Sequence, residues 1–593
     1  MRSSKLFLQA VLLLLAVCAT QVFAQAPQRP PNTGVFQGVQ APLSPALRYL
    51  ASDAGKQVLL HTPNPGAPAL LKWFHPEALG QYPQKPLLKL RPASSVHPDV
   101  HQNTVVVTGC GTGSGTIMNL EPATNAVGQY GPMVDFLLSA LGSGKDLVAE
   151  YGEDLRWEFG TFDSYSAMYV HRDPTVACYG GTDFEMGNPP IADPFNSGET
   201  IQGGLGARLL ADPGTGSRPA QFILADLRFD YITSGVGLRR IPATNLESTT
   251  TCPAGTLTST QEATCAGSTA IIVDASEDNM ADTPALGQDP RTSGTGAGDI
   301  YIVSPSIRDL RTVVLLTACK GAFATASDCS SPVLLNGSLD GGMPSVAVVG
   351  GGPNAGAIAI SYVTDAGFYY VSCTPAGAPN PPVCSNSSLI YTDENLYYTL
   401  TNNPGFIPPT WPVLAARTDT GGQTLFLVWS NCKLAPAGLY GCPQSQIVMA
   451  TATAVTSPTW TYRHISGASG QHYMPSVSFD SGQDIINVGY YSSGSDLYKN
   501  RVLMALNQFA PGTVTPESTI FLTGDYDSVQ GDGTDGHSYY DYTVGDYVGL
   551  AAHGGSASGS SRLYMGFTNN TRWGIYSGIG NSQADNNVSR VTY

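Results

Sequence analysis

Charge is what this chain has least of. Asp, Glu, Lys and Arg together make up 12% of its 593 residues, about half the roughly 25% of an ordinary globular protein. Basic residues are the scarcer kind, 29 against 45 acidic, and no Lys/Arg cluster occurs anywhere. That excludes nucleic acid and an anionic membrane surface as natural partners, because both are gripped by clustered cations. After the N-terminus no apolar run is long enough to span a bilayer. Also missing are a Gly-x-Ser-x-Gly elbow, a phosphate-binding glycine loop, a His-Glu-x-x-His zinc motif and any Cys-x-x-Cys pair. The nine His are scattered. Polarity comes instead from Tyr, Ser, Thr, Gly and Asn. Gly and Pro number 66 and 43, about 18% of the chain, which is turn-rich yet below the roughly 25–30% of disordered sequences.

What is present begins with an export signature. Arg2 and Lys5 precede an apolar run over residues 6–17, and Val22-Phe23-Ala24 offers a small-residue cleavage site. Residues 1–24 therefore read as a secretory signal peptide, which predicts a secreted or periplasmic protein. Without Arg2 and Lys5 the net charge of −16 becomes −18. Ten cysteines remain beyond Cys18, an even count that favours disulfides in an oxidising compartment. Eight of them fall into neighbouring couples, predicting local bridges Cys252–Cys265, Cys319–Cys329, Cys373–Cys384 and Cys432–Cys442, with Cys110–Cys178 left by elimination. Cys319 ends one strand-like run and Cys329 precedes another, so that bridge should staple a hairpin, and Cys373–Cys384 should repeat it one unit later.

The repeat is the main organising signal. Short apolar runs opening on a proline recur at Pro284, Pro344, Pro412 and Pro475, with looser copies at Pro132, Gly206 and Val548. Successive markers lie 60–78 residues apart, and each interval holds about four strand-length runs separated by Gly, Pro, Asn and Ser turns, as a four-stranded blade would. Proline at a strand start forfeits no ladder hydrogen bond. Seven openings are hard to fit into one β-sandwich. The expected fold is an all-β propeller of seven four-stranded blades over residues 104–593, or six blades if the Pro132 or Val548 copy is incomplete. Residues 25–103 form an extended Pro-rich N-terminal segment. The strand at residues 103–109 should complete the last blade, since closing the ring removes exposed sheet edges.

Several motifs carry a resemblance. The turns Ser457-Pro-Thr-Trp460 and Asn569-Asn-Thr-Arg-Trp573 look like the tail of an Asp-box hairpin. Ser478-Phe-Asp480-Ser-Gly482 and Ser338-Leu-Asp340-Gly-Gly342 carry its head, at a different point in the repeat. Together with Gly545-Asp546-Tyr547 these resemble the sialidase-like (Asp-box) β-propeller superfamily, in its exported bacterial form with degenerate motifs. The resemblance implies a propeller acting on glycans. Arg240-Ile-Pro242 mimics the family's signature tripeptide but falls on an expected outer strand. Arg208, Arg228 and Arg417 do not assemble into the family's arginine triad, so no catalytic residues are carried over.

Two functions remain: an exported propeller binding glycans or surface polymers through one face of the ring, or a sialidase-like exo-acting glycoside hydrolase with a diverged site. For the first, the residues just ahead of the strand markers should converge on one rim. The substrate-binding candidates are Asp282, Trp411, His472, Tyr473, Asp546 and Tyr547, with Met343 and Met474 beside them, because aromatic faces and carboxylates suit sugars. No cofactor is required by either reading. The Gly-rich acidic loop with Asp525, Asp527, Asp532 and Asp535 is a candidate Ca2+ site, since calcium takes six to eight oxygens in flexible geometry.

Overall fold

The computed structural model describes residues chiefly within 116–119, 129–172, 183–392, 412–434, 444–492, 501–528 and 548–592, with shorter breaks inside these spans. The chain is an all-β, mostly antiparallel propeller. Among the described residues the strands form seven sheets of four or five strands. The first holds Gln129–Leu138, Asp146–Glu158, Thr161–His171 and Phe184–Gly187 from inside outward. The second is built on Thr200–Asp212, Gln221–Phe229, Ser234–Pro242 and Ala270–Ser276. The third centres on Ala285–Gln288, Ile300–Arg308 and Arg311–Cys319, the fourth on Gly342–Val348, Ile358–Thr364 and Gly367–Thr374. The fifth comprises Val413–Ala416, Leu425–Leu434, Gln444–Ala452 and Thr461–His464, and the sixth begins with His472–Asp480, Ile485–Ser492 and Arg501–Phe509.

These six sheets run along the chain in order as six blades, so the propeller is six-bladed, the alternative count expected from the sequence; seven blades are not supported. The remaining sheet is a composite. Gly549–His553, Arg562–Tyr576 and Ile579–Thr592 pair in sequence, and Thr116–Asn119 adds to the outer edge against Ile579–Thr592. A strand from the start of the propeller region does join its last sheet, as expected, but it is Thr116–Asn119; residues 103–109 lie outside the described part. The N-terminal segment 25–103 also lies outside it, apart from Lys56.

Each sequence marker falls in, or just ahead of, an innermost strand, but not always at its start. Pro284, Pro412 and Val548 immediately precede strands. Pro132, Pro344 and Pro475 lie inside theirs, at register shifts between Tyr130 and Met133, Gly342 and Ser345, and Tyr473 and Ser476. A bulge leaves one residue without a ladder partner, the one place inside a strand where a missing N–H costs nothing. Met343 and Met474, each just before its proline, take left-handed backbone angles of φ 49° and 50°, a conformation costly for a side chain with a Cβ. Both side chains are buried, Met343 in the core that also holds Leu414 and Trp429, and Met474 in the core that holds Tyr491 and Met565.

Inner strands present a free edge toward the axis, and side chains satisfy part of it. The amide of Ala211 donates to Asp135 Oδ2 at 2.6 Å, that of Leu414 to Ser345 Oγ at 2.9 Å, and that of Ala552 to Ser478 Oγ at 3.1 Å. Each bond joins the inner strand of one sheet to that of the next, pairing edge groups that would otherwise be left without a partner. At the far end of the inner strands a second device recurs. Buried Asp212, Asp289 and Asp480 accept, through Oδ1, the amide two residues on, from Gly214, Arg291 and Gly482. These are Asx turns that close the inner hairpin. Asp480-Ser-Gly482, which looks like an Asp-box head, is one of them.

Three predicted disulfides are present: Cys252–Cys265, Cys319–Cys329 and Cys373–Cys384. Cys373 and Cys384 face each other across two paired strands, and Cys319–Cys329 holds the equivalent place one sheet earlier. Cys252–Cys265 instead ties the turn that follows helix α1 (Ala243–Glu247) to helix α2 (Ser259–Ala266), in a strap after the third strand of the second sheet. Cys432 is disulfide-bonded; Cys442, Cys110 and Cys178 lie outside the described residues. The strap docks on the first sheet through the parallel pair Gly255–Thr256 with Phe184–Gly187, and through Arg172, whose guanidinium donates to Leu246 O at 2.6 Å and to the carbonyls of Ser248 and Cys252.

Candidate functional site

Of the six substrate-binding candidates, Asp282, Trp411, Asp546 and Tyr547 lie outside the described residues. The other two open the inner strand of the sixth sheet, and both are buried. Tyr473 stacks on Tyr491 with ring centroids 5.5 Å apart, inside the core shared with the composite sheet. His472 meets Tyr490 edge-on at 5.7 Å, and its amide donates to Ser445 Oγ at 2.8 Å. Tyr473, Met343 and Met474 are buried and belong to the apolar cores in which neighbouring sheets meet. Asp527 sits in the short strand Asp527–Ser528, opposite Val502, while Asp525, Asp532 and Asp535 lie outside the described residues. Among the described residues no group of three or more His, Cys, Asp or Glu side chains is placed to hold a metal.

The arginines are committed locally. Arg417 pairs with Asp484 at 2.8 Å and lies over the Phe479 ring. Arg240 is on the third strand of its sheet, as expected; it donates to Gln221 Oε1 at 3.3 Å and covers Phe323. Its neighbour Arg239 points the other way, into a buried polar network between the first and second sheets. There Asp226 accepts from the Tyr151 hydroxyl at 3.0 Å, from Asn188 Nδ2 at 3.1 Å and from Arg228 Nε at 2.7 Å. Arg239 Nε donates to Asn188 Oδ1 at 2.9 Å, and both arginines donate to the single carbonyl of Pro189, at 3.2 and 2.7 Å. Gly237 makes the space, since a Cβ there would stand 2.6 Å from Arg228 Cγ. Glycine inside a strand marks such close approach, and the Ser-Gly-Val-Gly run at 234–237 was the sequence signal for it.

Carboxyls with displaced acidity are dispersed. Burial pushes Glu150 up to about 8. Burial likewise raises Glu262 to about 7, against the opposing hydrogen bond from the Gly187 amide. Asp274 is raised to about 6 by burial although Arg308 faces it. Glu150 lies on the face toward the composite sheet, Glu262 on α2, and Asp274 on the outer strand of the second sheet. A glycosidase needs two carboxyls about 5–9.5 Å apart across an open site, and none of these three is built that way.

The most open aromatic arrangement lies where the fourth and fifth sheets meet. Trp429 is fully buried, with Phe368 edge-on at 5.4 Å and Tyr391 at 4.7 Å. Tyr462 stands 5.6 Å from Tyr391 and is 42% exposed, and Leu389, two residues before Tyr391, is 47% exposed. The Tyr462 hydroxyl donates to the carbonyl of Ile390, clamping the outer strands of the two sheets together. Behind them Trp460 packs edge-on against Tyr370 at 5.7 Å, and its indole N–H has no acceptor.

No protein-family model matches the chain, and no curated protein matches it by sequence. Structural neighbours include glycan-binding lectins and glycosidases. An Aleuria aurantia lectin solved with α-methyl-L-fucoside is 12% identical over 67% of this chain and 95% of its own, with TM-score 0.31. An N-acetylgalactosamine deacetylase from F. plautii is 9% identical over 53% of this chain and 90% of its own, with TM-score 0.28. An exo-β-1,3-galactanase from Clostridium thermocellum is 8% identical over 77% and 95%, with TM-score 0.26. Likenesses of this size tie none of those activities to this chain.

Proposed function

We propose that the chain is an exported β-propeller that binds glycans or a comparable extracellular polymer. The observation that supports this most is the aromatic mouth of Tyr391 and Tyr462, where partly exposed ring faces rest on the buried indole of Trp429. Such faces stack on the C–H surfaces of sugars while their hydroxyls serve the polar edge. Binding is favoured over hydrolysis because the displaced carboxyls stand apart, each sealed in its own joint. The sequence candidates Asp282, Trp411, His472, Asp546 and Tyr547 belong to the same proposal as further binding residues. The test is a glycan array run beside a panel of chromogenic glycosides. We expect glycan binding that weakens at least tenfold in Trp411→Ala with the melting temperature nearly unchanged, and no glycoside turnover. Tyr462→Ala should weaken binding likewise and also lower the melting temperature modestly, by losing the clamp to Ile390, while the protein stays folded. Turnover abolished by substituting a single carboxylate would overturn the binding reading in favour of the hydrolase.

Calcium belongs to the same proposal. If Asp525, Asp527, Asp532 and Asp535 hold Ca2+, chelator lowers the melting temperature and added calcium restores it by mass action. An identical melting curve in chelator, with no metal by elemental analysis, would leave an ordinary solvated loop.

A further inference from the structure

The network between the first and second sheets is unbalanced in charge. Arg228, Arg239 and Asp226 are all buried, so two guanidinium groups share one carboxylate. Asp226 is already saturated, taking Tyr151 and Asn188 on one oxygen and Arg228 on the other. Asn188 and the Pro189 carbonyl bring dipoles but no charge. Arginine stays protonated in proteins, and an uncompensated charge in a dry joint is among the costliest things a fold can bury. Burial, with Arg228 nearby, brings Arg239 down to about 10. One donor has no use inside the protein: Arg228 Nη2 is buried and meets no acceptor, although Nε and Nη1 of the same fork are both engaged.

We infer that this joint binds a small monovalent inorganic anion of the halide class, held against Arg228 Nη2 and balancing the Arg228–Arg239 pair. The anion would supply both missing elements, a negative charge and an acceptor. A divalent anion is disfavoured, since a second negative charge would only reverse the imbalance. The role is structural: the anion pins Tyr151 of the first sheet to Asp226 and Arg239 of the second through a shared electrostatic centre.

The intact protein tests this. Exchanged from sodium gluconate into sodium bromide or chloride at equal ionic strength, it should melt several degrees higher, as a ligand of the folded state requires. Crystals grown in bromide should show an anomalous peak within hydrogen-bond distance of Arg228 Nη2. Arg228→Gln should lose the halide dependence. Equal melting temperatures in the three salts, or a bromide map with no peak in this joint, would overturn the proposal, and both measurements are made on the native chain should the variant fail to fold.

Discussion

Replacing Glu150 with leucine makes the protein more stable, and most strongly at pH 8. The Glu150 carboxyl lies in the joint between the first sheet and the composite sheet, on the face it shares through strand pairing with Val134 and Tyr169. Neither oxygen has a hydrogen-bond partner. Asp146, four residues earlier on the same face, is taken up by Arg562 and Tyr564, and among the described residues no cation pairs with Glu150. Burial raises its pKa from 4.5 to about 8. Between those two values the folded chain keeps a proton that the unfolded chain has released. Stability therefore falls steadily as pH rises from about 4.5 to about 8 and is level above that. The full loss is on the order of 3–5 kcal/mol. Leucine abolishes this slope and fills the space with an apolar side chain that suits Phe136 and Val148. Urea unfolding at pH 5, 6.5 and 8 measures it. An unchanged slope in Glu150→Leu would mean that this carboxyl is not what titrates.

The opposite change is expected one turn of the pleat away. Asp146→Ala should cost about 3–5 kcal/mol, the usual penalty when one member of a buried ion pair is removed. It strips the Arg562 guanidinium of its counter-charge and the Tyr564 hydroxyl of its acceptor, a bond of 2.7 Å. Asp146→Asn keeps an acceptor for Tyr564 and should lose less. Thermal unfolding reads both variants, and limited proteolysis should find the composite sheet the first part to open in Asp146→Ala. A loss below about 1 kcal/mol, typical of surface pairs, would show that this contact does not hold the joint.

How far the sequence disclosed all this depends on the range of the contact. The repeat was legible because its markers are local: Pro284, Pro344, Pro412 and Pro475 each announce an innermost strand. The bulge behind Pro344 and Pro475 was not, since a proline at a strand start and one in a bulge look alike until the register is known. Cys319–Cys329 and Cys373–Cys384 were legible because hairpin neighbours are close in sequence. The network of Tyr151, Asn188, Asp226, Arg228 and Arg239 was not, because it joins residues up to 75 positions apart and depends on which face each strand turns inward. Arg240 drew notice through its tripeptide, while Arg239, one residue earlier and on the opposite face, is the member that enters the network. The aromatic mouth was half visible: Trp460 stood out in its turn, but Tyr391, Trp429 and Tyr462 meet only when two sheets pack.

The composite sheet has a consequence for how the chain comes into being. Thr116 pairs with Arg590, and Asn119 with Asn587, so the first described strand of the ring finds its partner only once a segment far along the chain has been made. Until then the first sheet has one flank uncovered, with Glu150 and Asp146 bathed in water and free to ionise.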